Sequence, residues 1–340
     1  MRSIVIYFGL LSSILWAGGG EGTGFILAHV KDSYDWHITD IPWGKNADGT
    51  THYLALSIPL PRILYHPKRG LSLFFITGHT AEEVQAQLEP KGYTLTPEGK
   101  LAAIDCEPIL DLSLTKTAFQ LLLIGLLLLW IGRKAAQLYA TSAVPKGAAR
   151  WLEPVILFVR DNIARPSLHE KADKFLPYLL SVFFFIWASN LLGLTPLNSN
   201  IMGNITLTFL LALITFILVQ INGTKEYWAH IFWYPGAPIW LKLFMMPIEL
   251  LGMFSRPFAL MMRLFANIFA GHLMMLSVIG LIFILSAVLK SVAVGLGVSV
   301  FSIALGLFVM GLETLVAAIQ AYIFTLLTAV FLGMAVEESH

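Results

Sequence analysis

From Lys116 onward the chain is dominated by five apolar runs, near residues 117–132, 177–197, 204–221, 241–289 and 292–336. The first three are each about long enough to cross a bilayer as a helix, which satisfies its own backbone hydrogen bonds where lipid offers none. The last two are too long for one upright crossing, so they must tilt, bend or lie partly in the membrane plane. These runs predict an all-α polytopic membrane protein with about five crossing helices, ending in a long tilted hairpin.

The composition supports this class of protein. Hydrophobic residues make up 57% of the 340 residues and charged residues only 13%, whereas a soluble domain carries about a quarter charged residues. The net charge of +1 gives no reason to expect a nucleic-acid partner. The single cysteine, Cys106, excludes a disulfide within the chain.

The first 18 residues have the pattern of an export signal. Arg2 precedes an apolar stretch from Ile4 to Trp16, and the small residues Ala17 and Gly18 follow. Because the stretch is short for a bilayer crossing, residues 1–18 are predicted to be a cleaved signal peptide, with a retained anchor helix as the alternative. In either case the residues that follow would be exported.

Residues 19–112 indicate a small exported amino-terminal domain that contains strands. Turn signals at residues 46–49, 67–70 and 96–99 separate short alternating or apolar runs such as His52–Leu60 and Leu71–Thr77. The domain holds five of the nine histidines, at irregular spacing that fits no compact metal motif: His29, His37, His52, His66 and His79. We therefore expect no metal site and no cofactor.

Basic residues predict the orientation of the membrane domain, residues 113–340. Residues 198–203 carry no charge, whereas the segment between the first two apolar runs carries Arg133, Lys134, Lys146, Arg150, Arg160, Arg165, Lys171 and Lys174. The positive-inside rule places that segment in the cytoplasm, the amino-terminal domain outside and, after five crossings, the carboxyl terminus in the cytoplasm. Within the segment, Trp151–Ile163 has apolar residues at helical spacing. It is either an amphipathic helix on the membrane surface or a simple connector.

A polar stripe interrupts the fourth apolar run. Arg263 lies near its middle, and a charge at the bilayer centre costs at least roughly 2.5–3.5 kcal/mol, so it needs a partner or a function. Glu249, Arg256 and Arg263 are spaced by seven residues and share a helix face, and Asn267 joins the edge of the stripe one turn later. His272 comes nine residues after Arg263 and therefore faces roughly the opposite way.

The fifth run carries a second polar pair. Glu313 and Gln320 are seven residues apart, and the alanines between and beside them permit close helix approach. A buried carboxylate and a histidine on neighbouring helices are what a proton path needs, because each can bind and release a proton. The alternative is that His272 and Glu313 form a purely structural pair.

These polar residues carry a resemblance to subunit a of the F-type ATP synthase membrane sector. The similar motifs are Pro247-Ile-Glu-Leu, Ser255-Arg-Pro, Arg263-Leu-Phe-Ala-Asn, Ala270-Gly-His, Gln320-Ala-Tyr-Ile-Phe-Thr-Leu-Leu-Thr and the earlier Asn190-Leu-Leu-Gly-Leu-Thr-Pro. The resemblance covers about residues 110–340. It implies that Arg263 is the essential arginine facing a rotor ring, that Gln320 lies close to it, and that Asn267 and Glu249 belong to aqueous half-channels.

One departure from the family is informative. A common bacterial pattern has an acid after Ala-Gly and a histidine seven residues before the glutamine, whereas here His272 and Glu313 hold the reverse assignment. The exchange favours contact between the two positions, as members of the proton pathway. A smaller departure, Ala266 in place of the family's glycine, should affect local packing only.

The resemblance implies a non-catalytic stator subunit of the bacterial inner (plasma) membrane. Its partners would be the c-subunit ring, the b-subunit stalk, the rest of the ATP synthase complex, membrane lipid and protons. The chain has no phosphate-binding loop of the GxxxxGK[ST] kind, so we expect it not to bind nucleotide. The alternatives are a rotor-independent secondary transporter or ion channel, and a structural anchor for the exported domain.

Overall fold

The computed structural model describes residues 35–45, 51–68, 70–76, 81–95, 101–105, 110–141, 148–195, 201–233, 238–289 and 292–336. For residues 35–45, 51–58, His272 and most of 276–289 and 292–299, it describes the backbone alone. The segment predicted to be a signal peptide, residues 1–18, lies outside these ranges, as do residues 337–340. The described chain divides into two compact units, one up to Leu122 and one from Leu123 onward.

The first unit contains the strands that the sequence predicts. Its strands are β1 Asp35–Lys45, β2 Thr51–Pro59, β3 Arg62–His66, β4 Gly70–Phe74, β5 Tyr93–Leu95, β6 Leu101–Ala103 and β7 Leu110–Asp111, and its helix α1 is Ala81–Leu88. The strands form two antiparallel pairs, β1–β2 and β5–β6, and an antiparallel sheet in the order β4-β3-β7. Gly70, at φ 76°, ends the predicted turn between β3 and β4, a conformation that favours glycine.

One face of the three-stranded sheet is covered by α1 and the β5–β6 hairpin. Strand residues on that face alternate with residues on the other face, as the period of two requires. The buried cluster joins Leu64, Phe74, Ile76, Val84, Leu88, Tyr93 and Leu101. This cluster is the apolar core of the strand-containing unit.

The rest of the described chain is helical. Its helices are α2 Lys116–Thr141, α3 Ala148–Val159, α4 Arg165–Leu168, α5 Ala172–Gly193, α6 Ile205–Ile221, α7 Lys225–Phe232, α8 Ile239–Leu289 and α9 Val292–Val336. Within the described ranges four helical stretches are long and apolar enough to cross a membrane, and a fifth candidate is α6 with α7, bent by 104°. The predicted fold class is therefore confirmed: a polytopic helical membrane protein with a small strand-containing amino-terminal part.

The last helix, α9, is the centre of the helical unit. It packs against α4, α5, α6, α7 and α8. Small residues make these contacts close, since Ala321, Ala329 and Ala335 are completely buried within the protein. The packing around α9 therefore places its polar residues relative to those of α8.

The segment predicted as an amphipathic helix or a connector is helical. Helix α3 continues through a π-helical turn, Arg160–Ala164, into α4. Val159 and Ile163 are fully buried, whereas Trp151 is 84% exposed. The ring of Phe158 lies 5.7 Å from that of Tyr322 on α9. The segment thus has one face packed against the helical core and one exposed face, as an amphipathic helix does.

Candidate functional site

Helix α8 places its polar stripe at the edge of its buried face. Met253, Leu260 and Leu264 are buried, at spacings of seven and four residues that put them on one side of the helix. Arg263 and Asn267 are exposed, and Glu249 and Arg256 are partly exposed. The predicted stripe therefore borders the protein core without being enclosed by it.

Arg263 has no ionic or hydrogen-bonded partner among the described residues. A guanidinium group carries five N–H donors and keeps its charge at all ordinary pH values. The exposed face of α8 thus presents a fixed positive charge that a second molecule can approach.

Arg256, one heptad earlier, has different surroundings. Its guanidinium carbon lies 5.6 Å from the centre of the Phe331 ring, within the range of a cation–π contact. It also lines a pocket of about 20 Å³ together with Gln220 and Tyr227, and the Gln220 side-chain amide donates to the Tyr227 hydroxyl at 3.3 Å. This volume is enough for a single water molecule. Seven-residue spacing predicts a common face, yet the drift of about 20° per heptad is enough to separate these two arginines at the face's edge.

Glu313 is held in a buried position by its contact with α8. Both carboxylate oxygens are buried, and neither accepts a hydrogen bond within the described ranges. A Cβ added to Gly271 would lie 2.8 Å from Oε1 of Glu313, so only glycine allows this close approach of the carboxylate. Gly271 immediately precedes His272, and the structure therefore brings the backbone at position 272 close to Glu313. The pairing of the two side chains stays a prediction.

Gln320 lies deeper in the packing of α9. It is 5% exposed, and the neighbouring Ala317 and Ala321 are buried. Asn190 of α5 donates from Nδ2 to the Ala317 carbonyl oxygen at 3.5 Å, the long end of the hydrogen-bond range. No hydrogen bond joins Gln320 to Arg263 among the described residues. The predicted proximity of these two side chains therefore also stays a prediction.

The carboxyl-terminal end of α9 is fixed by other segments. Lys171 Nζ donates to the Val336 carbonyl oxygen at 2.7 Å, and the Thr224 amide donates to the Ala335 carbonyl oxygen at 2.9 Å. These bonds satisfy carbonyl groups that a helix end leaves without partners, and the lysine charge also suits the helix dipole. At Gly333 a Cβ would overlap the Ser167 carbonyl oxygen. These contacts therefore fix both the position of α9 along its axis and its rotation about that axis.

Several of these supporting residues escape sequence reasoning. The need for glycine at positions 271 and 333 is evident only from the neighbouring atoms of Glu313 and Ser167 in the structure. Gly271 does belong to the Ala-Gly-His motif. Lys171 contributes to the basic segment used for orientation, and nothing in its spacing predicts a helix-end contact. Asn190 belongs to a quoted motif, but its contact with Ala317 depends on packing between α5 and α9.

The described residues contain no group of three or more histidine, cysteine, aspartate or glutamate side chains that could hold a metal ion. Between α8 and α9 the described polar groups are a fixed charge and side chains that can hydrogen-bond or titrate. They are a guanidinium group, a buried carboxyl group and an amide, with a neighbouring histidine position.

Comparison with known proteins identifies the family of the chain. A family model described as ATP synthase A chain matches residues 116–333, and a second, described as a domain of unknown function, matches residues 25–111. ATP synthase subunit a 2 of Chlorobaculum tepidum is 38% identical over 78% of this chain and 73% of its own length. ATP synthase subunit a of Chlorobium phaeobacteroides is 42% identical over 68% of both chains. That of Myxococcus xanthus is 39% identical over 68% of this chain and 75% of its own length.

The similarity is not confined to the helical part. Residues 116–340 make up about two thirds of the chain, so a match over 78% of it extends into the strand-containing unit. The family model alone spans more than half of the chain, and its bounds agree with the resemblance found at residues 110–340. The chain therefore belongs to the ATP synthase subunit a family, whose members are membrane-sector subunits of that complex.

Proposed function

We propose that this chain is the stator subunit that conducts protons through two offset half-channels to and from a rotor ring of c subunits. Proton flow would thereby be coupled to rotary ATP synthesis. The observation that carries the proposal is Arg263, an exposed charge within an apolar helix that has no ionic or hydrogen-bonded partner among the described residues. A charge at bilayer depth that the described residues leave unpaired calls for a partner, which a second chain can supply. In this family a carboxylate on the rotor ring would be the partner of the Arg263 charge.

Arg263 would control the protonation of that rotor carboxylate. Its positive charge favours the ionised form of a carboxylate that faces it, so an arriving protonated site releases its proton before passing. The same charge opposes a direct proton leak between the half-channels. A protonated rotor site can turn into lipid without the cost of burying a charge, and the membrane potential contributes roughly 2.3 kcal/mol per charge per 100 mV.

Glu313 and His272 would form the proton-exchanging pair of the half-channel open to the outside. The burial of the Glu313 carboxylate against Gly271, next to His272, supports this assignment. A carboxylate and an imidazole in contact can pass a proton between them because both change charge readily. Asn267 and Glu249 would line aqueous parts of the half-channels, and Gln320 would lie close to Arg263.

The proposal includes an orientation and a set of neighbours. In the bacterial inner membrane the basic segment 133–176 and the carboxyl terminus face the cytoplasm, and the strand-containing domain faces outward. The c-ring contacts the exposed face of α8, and a b-subunit stalk holds the chain to the catalytic head. The chain itself makes no ATP, since the synthesis occurs in that separate head.

Replacement of Arg263 tests the proposal. In Arg263→Ala membranes we expect no ATP-driven proton pumping and no coupled synthesis, while the head still hydrolyses ATP. Arg263→Lys should restore little, because an ammonium group lacks the planar set of donors of a guanidinium. Arg165→Ala is the matched control, since Arg165 is surface-exposed and its contact, at 3.0 Å from Asp161, is an ion pair of the weak kind.

Normal pumping by Arg263→Ala at matched assembly would contradict the proposed role of the arginine. A second measurement distinguishes a rotor-linked stator from a rotor-independent transporter or channel. The intact complex is purified through a tag on this chain, and the subunits that accompany it are identified. A ring of small hairpin subunits supports the stator, and transport by the chain alone in vesicles supports the alternative.

A further inference from the structure

The uncovered face of the three-stranded sheet is apolar. Strand pairing sets Tyr65 opposite both Leu71 and Leu110, and Ile63 opposite Leu73, so these side chains share one face. Alternation along the chain adds Phe75 and Leu112. Leu71 is 66% exposed, Leu73 61% and Tyr65 47%. Antiparallel sheets with one face against a core usually carry polar residues on the other, so a continuous apolar face indicates a contact surface.

The backbone ties this face closely to the start of the first membrane helix. The Leu112 amide donates to the Ile63 carbonyl oxygen at 2.9 Å, and the Leu114 amide donates to the Pro61 carbonyl oxygen at 3.2 Å. The Ile63 amide donates to Ser113 Oγ at 3.2 Å. The chain between the sheet and α2 is therefore part of the folded unit rather than a free linker.

This connection limits how far the face can lie from the bilayer. Helix α2 begins at Lys116, where a stretch long and apolar enough to cross a membrane also begins. Leu112 precedes it by four residues, which reach at most about 14 Å even when fully extended. The headgroup layer on each side of the hydrocarbon core is about 5–8 Å thick. The edge of the face at Leu110 and Leu112 must therefore lie at or just above the headgroups.

We propose that the apolar face formed by Ile63, Tyr65, Leu71, Leu73, Phe75, Leu110 and Leu112 rests on the lipid surface beside α2. Leucine and phenylalanine side chains lose unfavourable contact with water there, and the amphipathic side chain of Tyr65 suits an interface that is apolar on one side and wet on the other. The first unit is thereby held against the membrane by a surface as well as by its covalent link. This inference does not rest on the proton-conducting mechanism.

Site-specific fluorescence in the intact complex tests it. Cys106→Ser removes the single thiol of this chain, and Leu73→Cys, Leu110→Cys and, as a control, Ala86→Cys are then introduced one at a time, with the unsubstituted Cys106→Ser complex as the blank for labelling of other subunits. Ala86 is exposed on α1, which covers the opposite face of the same sheet. Each variant is labelled with an environment-sensitive fluorophore and reconstituted into phosphatidylcholine vesicles containing phosphatidylglycerol. Quenching by spin-labelled lipid is compared with quenching by iodide, at matched assembly and pumping activity.

We expect lipid quenching of labels at positions 73 and 110 to exceed that of the Ala86 label about threefold, with the opposite order for iodide. Equal access of iodide to all three positions would overturn the proposal. Protection from both quenchers at positions 73 and 110 would overturn it too, because a protein segment, a second copy or another subunit would then cover the face. The two test positions lie on different strands, so a local disturbance at one leaves the other informative.

Discussion

The middle of the α8–α9 hairpin and the carboxyl-terminal end of α9 differ in how their polar groups are satisfied. In the middle, Arg263 has no partner and the Glu313 carboxylate accepts no hydrogen bond among the described residues. At the end, the Ala335 and Val336 carbonyl oxygens accept bonds from Thr224 and Lys171. In this pair of helices the backbone carbonyl groups at the end of α9 are hydrogen-bonded, whereas polar side chains in the middle are available to other molecules or protons.

This difference has a physical explanation. A buried polar group without a partner costs about 1–3 kcal/mol, more if charged, and such cost is tolerated where the group has a function. The position of an available group matters only if its helix cannot turn, since a shift of one residue rotates a helical side chain by about 100°. Fixing the end of α9 would thus preserve the positions of Glu313 and Gln320. Substitutions at the fixed end and at the available groups should therefore change proton pumping to different extents.

Gly333→Ala should disturb the fixed end most. The added Cβ would overlap the Ser167 carbonyl oxygen, and a backbone group cannot move aside without shifting α4 or α9. We expect ATP-driven proton pumping per assembled complex to fall at least roughly tenfold, as for other changes that misplace reacting groups by about 1 Å. The measurement is vesicle acidification at matched amounts of assembled subunit.

Gly311→Ala is the control on the same helix, because nothing lies within 4 Å of a Cβ there. Both substitutions give the same gain in helix propensity, about 0.8–1.0 kcal/mol in water. Their difference therefore isolates the contact with Ser167. Equal pumping by the two variants would show that the end of α9 does not need to be fixed.

The sequence predicts the helices better than it predicts the contacts that fix the end of α9. Apolar length alone places helices near 241–289 and 292–336, and α8 and α9 run from Ile239 to Leu289 and from Val292 to Val336. Heptad spacing also identifies the polar residues of the site. The length of an apolar run and the spacing of its polar residues are properties of one segment, so they can be read directly from the sequence.

The supporting contacts cannot be read in the same way. Lys171 and Val336 are 165 residues apart, and Asn190 and Ala317 are 127 apart. Such contacts depend on which helix faces pack together, and one sequence does not specify that. Spacing also places Arg256 and Arg263 on one face, yet Arg256 lines a pocket with Tyr227 while Arg263 is exposed. The boundary between the buried and the exposed face of α8 runs through the polar stripe. A small difference in angle about the helix axis therefore decides whether a residue of the stripe is enclosed, as Arg256 partly is, or exposed, as Arg263 is.

The side chains of His272 and Glu313 should themselves be needed for proton flux. His272→Ala and Glu313→Ala should each lower proton flux several-fold, because each removes one member of a proton-exchanging pair. The double exchange His272→Glu with Glu313→His should recover part of the flux, since it keeps one carboxylate and one imidazole in the same place. ATP-driven acidification of vesicles measures the flux. A double variant no better than the worse single variant would reject the exchangeable pair, and unaffected single variants would favour a purely structural role.

Gly271→Ala should have a smaller effect than Gly333→Ala, although both add a Cβ at a close contact. At Gly271 the obstacle is Oε1 of Glu313, 2.8 Å from the added carbon. A carboxylate at the end of a flexible side chain can rotate away at a cost of order 0.5–1.5 kcal/mol. We expect proton flux to fall about threefold, with assembly unaffected. Gly252→Ala, on the same helix and with nothing within 4 Å of its Cβ, is the control. A loss as large as that of Gly333→Ala would mean that the carboxylate is fixed as firmly as the helix end.

Lys171 should give the smallest effect. Its Nζ donates to the Val336 carbonyl oxygen at 2.7 Å, and a hydrogen bond from a charged group contributes about 1.5–3 kcal/mol when both partners are well placed. Thr224 and the Gly333 contact still hold α9 when this bond is lost, so Lys171→Met should lower pumping by only about twofold while ATP hydrolysis is unchanged. Lys171→Arg keeps a positive donor and should restore pumping. Lys174→Met removes a neighbouring exposed lysine whose hydrogen bond to Asn222 Oδ1 is long, at 3.4 Å, and should have no measurable effect. The ratio of protons pumped to ATP hydrolysed separates misplacement of α9 from poor assembly, because fewer complexes lower both quantities together. A proportional loss of both in Lys171→Met would assign the lysine to folding alone.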